Sequence, residues 1–208
     1  MNAENILESK DWKKCIEFHG HTCPGIALGF RAAKAGLELL KENKALDEEL
    51  VTIVETDACD ADAVQVLTGC TFGKGNFIYK EFGKHAFTFF SRNSGKGFRV
   101  VLKPGAFEPD NKHQELIQRV REGAAGKKDQ AEYDKLHFQR TCDVLNKPVD
   151  QLFSIKAVDI PIPEKARIFS SKVCDRCGEP AMATRMTEVD GKWICRGCLE
   201  TQTRDHGI

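Results

Sequence analysis

Apolar residues recur at helical spacing across residues 26–41, where Ile26, Phe30, Ala33, Leu37 and Leu40 fall on one face. Pro24 suits the first turn of that helix, because its fixed φ and missing N–H cost nothing there, and a shorter helix is expected before it. Residues 50–56 (LVTIVET) are β-branched and apolar, which reads as a strand running into the polar loop 57–60, and residues 61–67 return to helix. Segments 76–79, 86–91 and 98–102 gather β-formers between glycine-containing turns and predict an antiparallel group of strands. Helices follow at about 113–122 and 129–145, broken by the exposed turn GAAGKK, and residues 153–160 read as one more strand. Pro161-Ile-Pro163 marks a boundary that a regular element does not easily cross. The pattern predicts an α+β fold: an antiparallel-rich sheet with flanking helices over residues 1–160, a linker at 161–172 and a small C-terminal module at 173–208.

Composition narrows the function classes. With 208 residues, 41% of them hydrophobic, the chain has a core to bury. Its 31 basic and 31 acidic residues cancel, so no global positive field recruits nucleic acid or an anionic membrane. No apolar run approaches the roughly 18 residues needed to span a bilayer, and the opening MNAENILESKDWKK lacks the apolar stretch of a secretion signal, so a soluble cytoplasmic protein is expected. Nine cysteines are many for that compartment, and their odd number argues against a complete disulfide set. Metal binding or thiol chemistry is the expectation.

The C-terminal module holds too few large apolar side chains to fold alone and requires a staple. Cys174/Cys177 and Cys195/Cys198 form two CxxC pairs with seventeen residues between them, the spacing of a four-cysteine zinc site. Gly178 and Gly197 give the backbone freedom for the tight turns, and Asp190-Gly191 is a hairpin signal. The arrangement resembles a treble-clef or zinc-ribbon finger of the DksA/TraR kind. Four thiolates leave no open coordination position, so this zinc is expected to be structural. Residues 164–208 carry eight Lys or Arg against seven Asp or Glu, which favours docking onto protein over nucleic acid.

Two further clusters lie in the larger domain. In FHGHTCPG, His19, His21 and Cys23 alternate just before the main helix. An extended stretch would project all three to one face; a helix begun by Thr22 would instead set Cys23 at its N-terminus, where the dipole favours thiolate. The second cluster, Glu55-Thr-Asp57-Ala-Cys59-Asp60-Ala-Asp62, stands at a strand's end before a helix. There Cys59 is the leading candidate, and the aspartates can act as ligands, as helix caps or as groups that orient a ligand. A third stretch, TGCTFGKGN, carries Cys70 and Lys74; it misses the P-loop spacing and reads as a loop over a site, with Lys74 free for an anionic ligand. Cys15 and Cys142 read as structural, His85, His113 and His137 show no partner pattern, and His206 lies in the tail.

FHGHTCPGIALGFRAA followed by ETDACDADAVQVLTGCTFGKGN resembles the FmdE family of formylmethanofuran dehydrogenase, with the likeness covering about residues 11–160. The resemblance implies an α+β core that pairs as a homodimer, with a His/Cys site drawn from His19, His21, Cys23, Cys59 and Cys70. Two functions follow. One is a metal-binding accessory or regulatory protein linked to molybdenum or tungsten one-carbon metabolism, its finger relaying to a partner protein. The other is a metal-dependent enzyme: a divalent transition metal on His21, Cys23 and Cys59 with an open position, and Cys59, His19 and Asp60 as catalytic groups, His19 as proton shuttle and Asp60 or Asp62 as base.

Overall fold

In the computed structural model, which describes residues 2–202, the chain begins with two short helices, α1 (Ala3–Leu7) and α2 (Lys10–His19). Ser9 caps α2, its Oγ accepting from the Trp12 N–H at 3.1 Å. The helix stops immediately after His19 because Gly20 takes φ 93°, a left-handed conformation that costs glycine nothing. A short turn then leads into α3 (Pro24–Leu40). Cys23 is its cap residue, with Sγ accepting from the Ile26 N–H at 3.4 Å, and Pro24 occupies the first turn as the sequence implies. The chain does not run extended through His19, His21 and Cys23: it leaves one helix at His19 and enters the next at Pro24.

The remainder of the larger unit supplies β1 (Leu50–Val54), α4 (Asp60–Thr68), β2 (Phe77–Tyr79), β3 (Ala86–Ser91), β4 (Gly97–Leu102), α5 (Asn111–Arg121), α6 (Lys127–Asn146), α7 (Val149–Leu152) and β5 (Phe153–Ala157). These strands form one sheet in the order β2-β1-β3-β4-β5. The pairs β1–β3, β3–β4 and β4–β5 are antiparallel, as the turns predict. One expectation is corrected: β2 does not join the antiparallel group but lies parallel to β1 at the sheet edge. The reason is the α4 crossover, which returns the chain to the starting end of the sheet instead of reversing it in a hairpin. The last strand also stops at Ala157, three residues short of the expected end.

β1 and β3 are buried throughout, which is why they read as unbroken apolar runs. On one face Phe87 and Phe89 join the main core beneath α3. There Phe89 stands so close to Gly36 that a Cβ would fall 2.4 Å from its ring. The opposite face is a smaller cluster of Val51, Ile53 and Phe90, covered by Val158 and Ile162. Burying each such phenylalanine contributes about 2–3 kcal/mol. Arg31 ties α3 to the end of α6, its guanidinium donating to the Leu145 and Lys147 carbonyls at 2.7 Å each.

The chain divides into two compact units, Met1–Lys165 and Ala166–Ile208. In the second, β6 (Ser171–Val173) pairs antiparallel with β7 (Pro180–Met182). A short 3-10 turn (Ala183–Arg185) leads into the hairpin of β8 (Met186–Val189) and β9 (Lys192–Cys195), followed by α8 (Arg196–Gln202). Asp190-Gly191 makes the hairpin turn with φ of 50° and 75°, the left-handed pair that this dipeptide favours. The architecture is therefore α+β with an antiparallel-rich sheet and a small C-terminal finger. Among the described residues no helix is long and apolar enough to cross a membrane.

Candidate metal centre

Two groups of metal-type donors converge. In the finger, the Sγ atoms of Cys174, Cys177, Cys195 and Cys198 all lie within 4.8 Å of one another. The β6–β7 turn holds the first pair; the end of β9 and the first turn of α8 hold the second. Backbone N–H groups of Cys177 and Cys195 point at the Cys174 sulfur and bring its pKa down to about 6, which favours the thiolate a metal requires.

In the larger unit, His19, His21 and Cys23 offer donor atoms within 4.8 Å of one another. The left-handed turn at Gly20 folds the end of α2 back toward the start of α3 and so brings the alternating residues together. His19 is oriented from behind: its Nδ1 lies 2.7 Å from Asp62 Oδ2. The carboxylate thus takes the Nδ1 proton and leaves Nε2 with its lone pair, 3.9 Å from Cys23 Sγ. A carboxylate behind an imidazole is the usual support for a metal-ligating histidine. The donor chemistry of one thiol and two imidazoles fits a transition ion such as zinc, nickel, copper or iron.

Cys59 is the cap residue of α4 and faces Cys23 across Gly25, where a Cβ would fall 2.9 Å from Cys59 Cβ and 3.7 Å from both sulfurs. Only glycine leaves room for the two thiols side by side. Burial, then the neighbouring Cys23 thiol, pushes the Cys59 pKa up to about 11. Nearby positive charge is what such a thiol requires to ionise. Cys59 stands beside the His19, His21 and Cys23 trio without sharing its common donor sphere, whereas His19, read from sequence as a proton shuttle, belongs to it.

The aspartates separate into roles. Asp62 holds His19. Asp60 is fully buried at the start of α4, with Oδ2 2.5 Å from His85 Nδ1 and Oδ1 without a partner. Asp57 stays exposed, and Glu55 is committed to the bidentate pair with Arg99 at 2.7–2.8 Å. Cys70 and Lys74 lie beyond the opposite end of α4, a helix of nine residues and so about 13 Å long. Cys70 is buried and accepts from Thr52 Oγ1, and Lys74 Nζ donates to the Asp47 carbonyl at 2.9 Å. Neither is brought to the trio. Cys15 is buried in the core, its pKa pushed up to about 12 by burial, while Cys142 is half-buried; His206 lies outside the described residues.

The structure also assembles groups with no local signature. His113, Tyr133 and His137 pack as an aromatic cluster with ring centroids 4.9–5.8 Å apart. His113 Nε2 and His137 Nδ1 are buried without hydrogen-bond partners. Burial lowers the pKa of both imidazoles, and Tyr133 and His137 lie within electrostatic reach of Cys23 and His21. Tyr133, His137 and Arg140 stand at i, i+4 and i+7 on α6, a stripe that helical periodicity could have flagged. His113 and His85 had no such signal.

The His85–Asp60 pair carries a pH signature. The hydrogen bond to the Asp60 carboxylate raises the His85 pKa above its ordinary value of about 6.5. A group raised on folding contributes its stability fully below the unfolded pKa and loses it as pH rises through the folded value. The stability lost in His85→Gln should therefore be largest below pH 6.5 and shrink in alkaline buffer. Urea unfolding of both proteins across that range checks this, and a loss that grows with pH would contradict it.

Comparison with known proteins gives a consistent set of matches. A family model described as FmdE, molybdenum formylmethanofuran dehydrogenase operon, matches residues 18–154. The chain is 34% identical over 188 residues to a probable S-adenosyl-L-methionine-binding protein of Archaeoglobus fulgidus, covering 88% of this chain and 50% of that protein. It thus spans about half the length of the curated relative it matches. The crystal structure of an FmdE-like protein of tungsten formylmethanofuran dehydrogenase from Syntrophus aciditrophicus superposes with a TM-score of 0.61 at 25% identity, covering 100% of each chain.

Proposed function

We propose, from the premise that this chain belongs to the FmdE family, that it is a metal-binding accessory or regulatory protein of molybdenum- or tungsten-dependent one-carbon metabolism. The observation that carries the metal reading is the convergence of His19, His21 and Cys23, with Nδ1 of His19 held by Asp62. These three side chains would hold a divalent transition ion, and Cys59 is placed to add the next thiolate. The finger is assigned a structural zinc on Cys174, Cys177, Cys195 and Cys198, in a treble-clef arrangement of the DksA/TraR type spanning residues 173–208. The link to one-carbon chemistry rests on the family, and the ligand named for the archaeal relative is not assigned to this chain.

Metal analysis tests both assignments. Protein purified without added metal is expected to carry two equivalents per chain, one for each group of donors. Cys23→Ser and His21→Ala should each lose the core equivalent and keep the finger's. Metal content unchanged by both substitutions would remove the core site.

A second reading, a metal-dependent enzyme, is favoured by one specific contrast: three donors meet in the larger unit and four in the finger. Three protein ligands leave a position for water or substrate, and a divalent ion there would lower the pKa of bound water toward neutrality. On this reading Asp62 orients His19, while Cys59 and the Asp60–His85 pair flank the open position. Cobalt-substituted protein whose visible spectrum shifts with added azide supports an open position; an inert spectrum favours the accessory reading. A cytoplasmic homodimer is also proposed, with exposed Phe18, Leu46 and Phe72 around one cavity as its apolar surface. Sedimentation as a monomer at micromolar concentration would remove that part.

A further inference from the structure

The Asp60–His85 pair leads to a second feature of the larger unit. His85 lies just before β3, and its ring lines a cavity of about 470 Å³ between the end of β4 and the segment that follows it. Leu102, Phe107 and Pro109 make the walls largely apolar. Four side chains able to carry positive charge, Lys84, His85, Lys103 and Arg140, face this space against a single carboxylate, Glu108. Lys103 is engaged, its Nζ donating to the Asp150 carbonyl at 2.5 Å. His85 has Nδ1 committed to Asp60, which leaves Nε2 as its other hydrogen-bonding atom.

Arg140 is the informative residue. Its guanidinium lies over the Phe107 ring, with Cζ 4.1 Å from the centroid, and one Nη donates to the Phe107 carbonyl. The stacking fixes the guanidinium plane. The group is only partly exposed, yet among the described residues it forms no ion pair with a carboxylate. A half-buried guanidinium ordinarily has an anionic partner, since removing the charge from water is costly without one. Its positive charge is also felt by His85, His113 and His137. The field in this corner thus favours an anion. A planar fork with donors to spare takes a carboxylate through two parallel bonds. The apolar walls and the opposing Glu108 suit one negative charge on an apolar body better than a small dianion.

We propose that this cavity binds an organic carboxylate: Arg140 takes the carboxylate as a bidentate pair, His85 Nε2 and Lys84 add single contacts, and the apolar body packs on Leu102, Phe107 and Pro109. Because His85 is bonded to Asp60, whose neighbour is Cys59, a ligand seated here lies one side chain away from the thiol. Carboxylate binding is independent of the metal reading, because it can be measured on metal-stripped protein.

The test is calorimetric titration of the full chain with three probes: benzoate, its neutral isostere benzamide, and inorganic phosphate. Benzoate is expected to bind at least about tenfold more tightly than benzamide, and Arg140→Gln to weaken benzoate by a similar factor, since a bidentate charge-assisted pair is lost. Lys84→Gln, a change at an exposed position, should weaken it only about two- to fivefold. His21→Ala should leave benzoate affinity unchanged, so failure of the metal centre and failure of this site are distinguishable. Equal binding of benzamide, tighter binding of phosphate, or an Arg140→Gln protein that melts normally and retains its affinity would each overturn the proposal. Should Arg140→Gln not fold, the His85 ring resonances decide on the wild type: benzoate must shift them, and unshifted signals overturn it.

Discussion

Replacing Cys174 by Ser is expected to abolish ordered structure in the finger, seen as loss of amide protection across both of its hairpins. The buried apolar side chains of this unit are Cys174, Met186 and Ile194. At about 2–3 kcal/mol per fully buried apolar side chain, they cannot offset roughly 1.5 kcal/mol of conformational entropy for each ordered residue. On the proposed assignment the deficit is met by the ion, because a structural zinc contributes on the order of 10 kcal/mol to folding. Cys174 is the most sensitive ligand to change: it is the buried one, and its sulfur receives the Cys195 N–H at 3.3 Å. A serine hydroxyl stays protonated at neutral pH and does not replace the thiolate. Lys172 Nζ sits 3.3 Å from the centroid of the Trp193 ring, so tryptophan emission should change as the hairpins come apart. Chelation of wild-type protein should produce the same loss. Full amide protection in Cys174→Ser or after chelation would show that the finger folds without metal.

The second large effect is expected at Gly29, where substitution by Ala should destabilise the protein by about 3 kcal/mol. The direction is set by two opposing terms. Alanine is the better helix former by about 1 kcal/mol, and Gly29 lies inside α3, so propensity alone favours the change. Yet a Cβ at this position falls 2.1 Å from the Asp60 carbonyl oxygen and 2.7 Å from its carbonyl carbon and Cα. These are backbone atoms at the first turn of α4 and cannot rotate aside, so the helices must move apart. The shift would displace Cys59, Asp60 and Asp62 together, which places the cost in the site as well as in the core. Equilibrium unfolding in urea measures the stability, and metal content measures the site. A Gly29→Ala protein as stable as wild type with its core metal retained would mean that α4 accommodates the methyl, and the close approach would carry no weight.

How far the site is legible in the sequence depends on whether its parts are close in the chain. The CxxC pairs are legible because two sulfurs two residues apart on a tight turn already point together, and the Asp-Gly hairpin brings the second pair back to the first. The alternation of His19, His21 and Cys23 is legible as donors, although not as geometry: the trio is assembled by the left-handed turn at Gly20 between two helices. Cys59 does precede a helix, as its surroundings in the sequence imply, and its pairing with Cys23 becomes visible only with the packing of α3 against α4. Lys74 and Cys70 stand out as part of a polar, glycine-rich stretch, but the length of α4 carries them to its other end. Glu55 has the look of a site carboxylate and is occupied by Arg99 from a neighbouring strand.

By itself, then, the sequence determined the elements, the α+β class, the finger's ligand spacing and the chemistry on offer in the two polar loops, because each of these depends on residues within a helical turn, a strand or a hairpin. Tertiary structure alone decided which carboxylate serves which imidazole, that β2 runs parallel, and that His85, His113, Tyr133, His137 and Arg140 gather from α5, α6 and the sheet edge. Those pairings join residues far apart in the chain, and they exist only because the packed core of α3 and the sheet fixes where each helix ends.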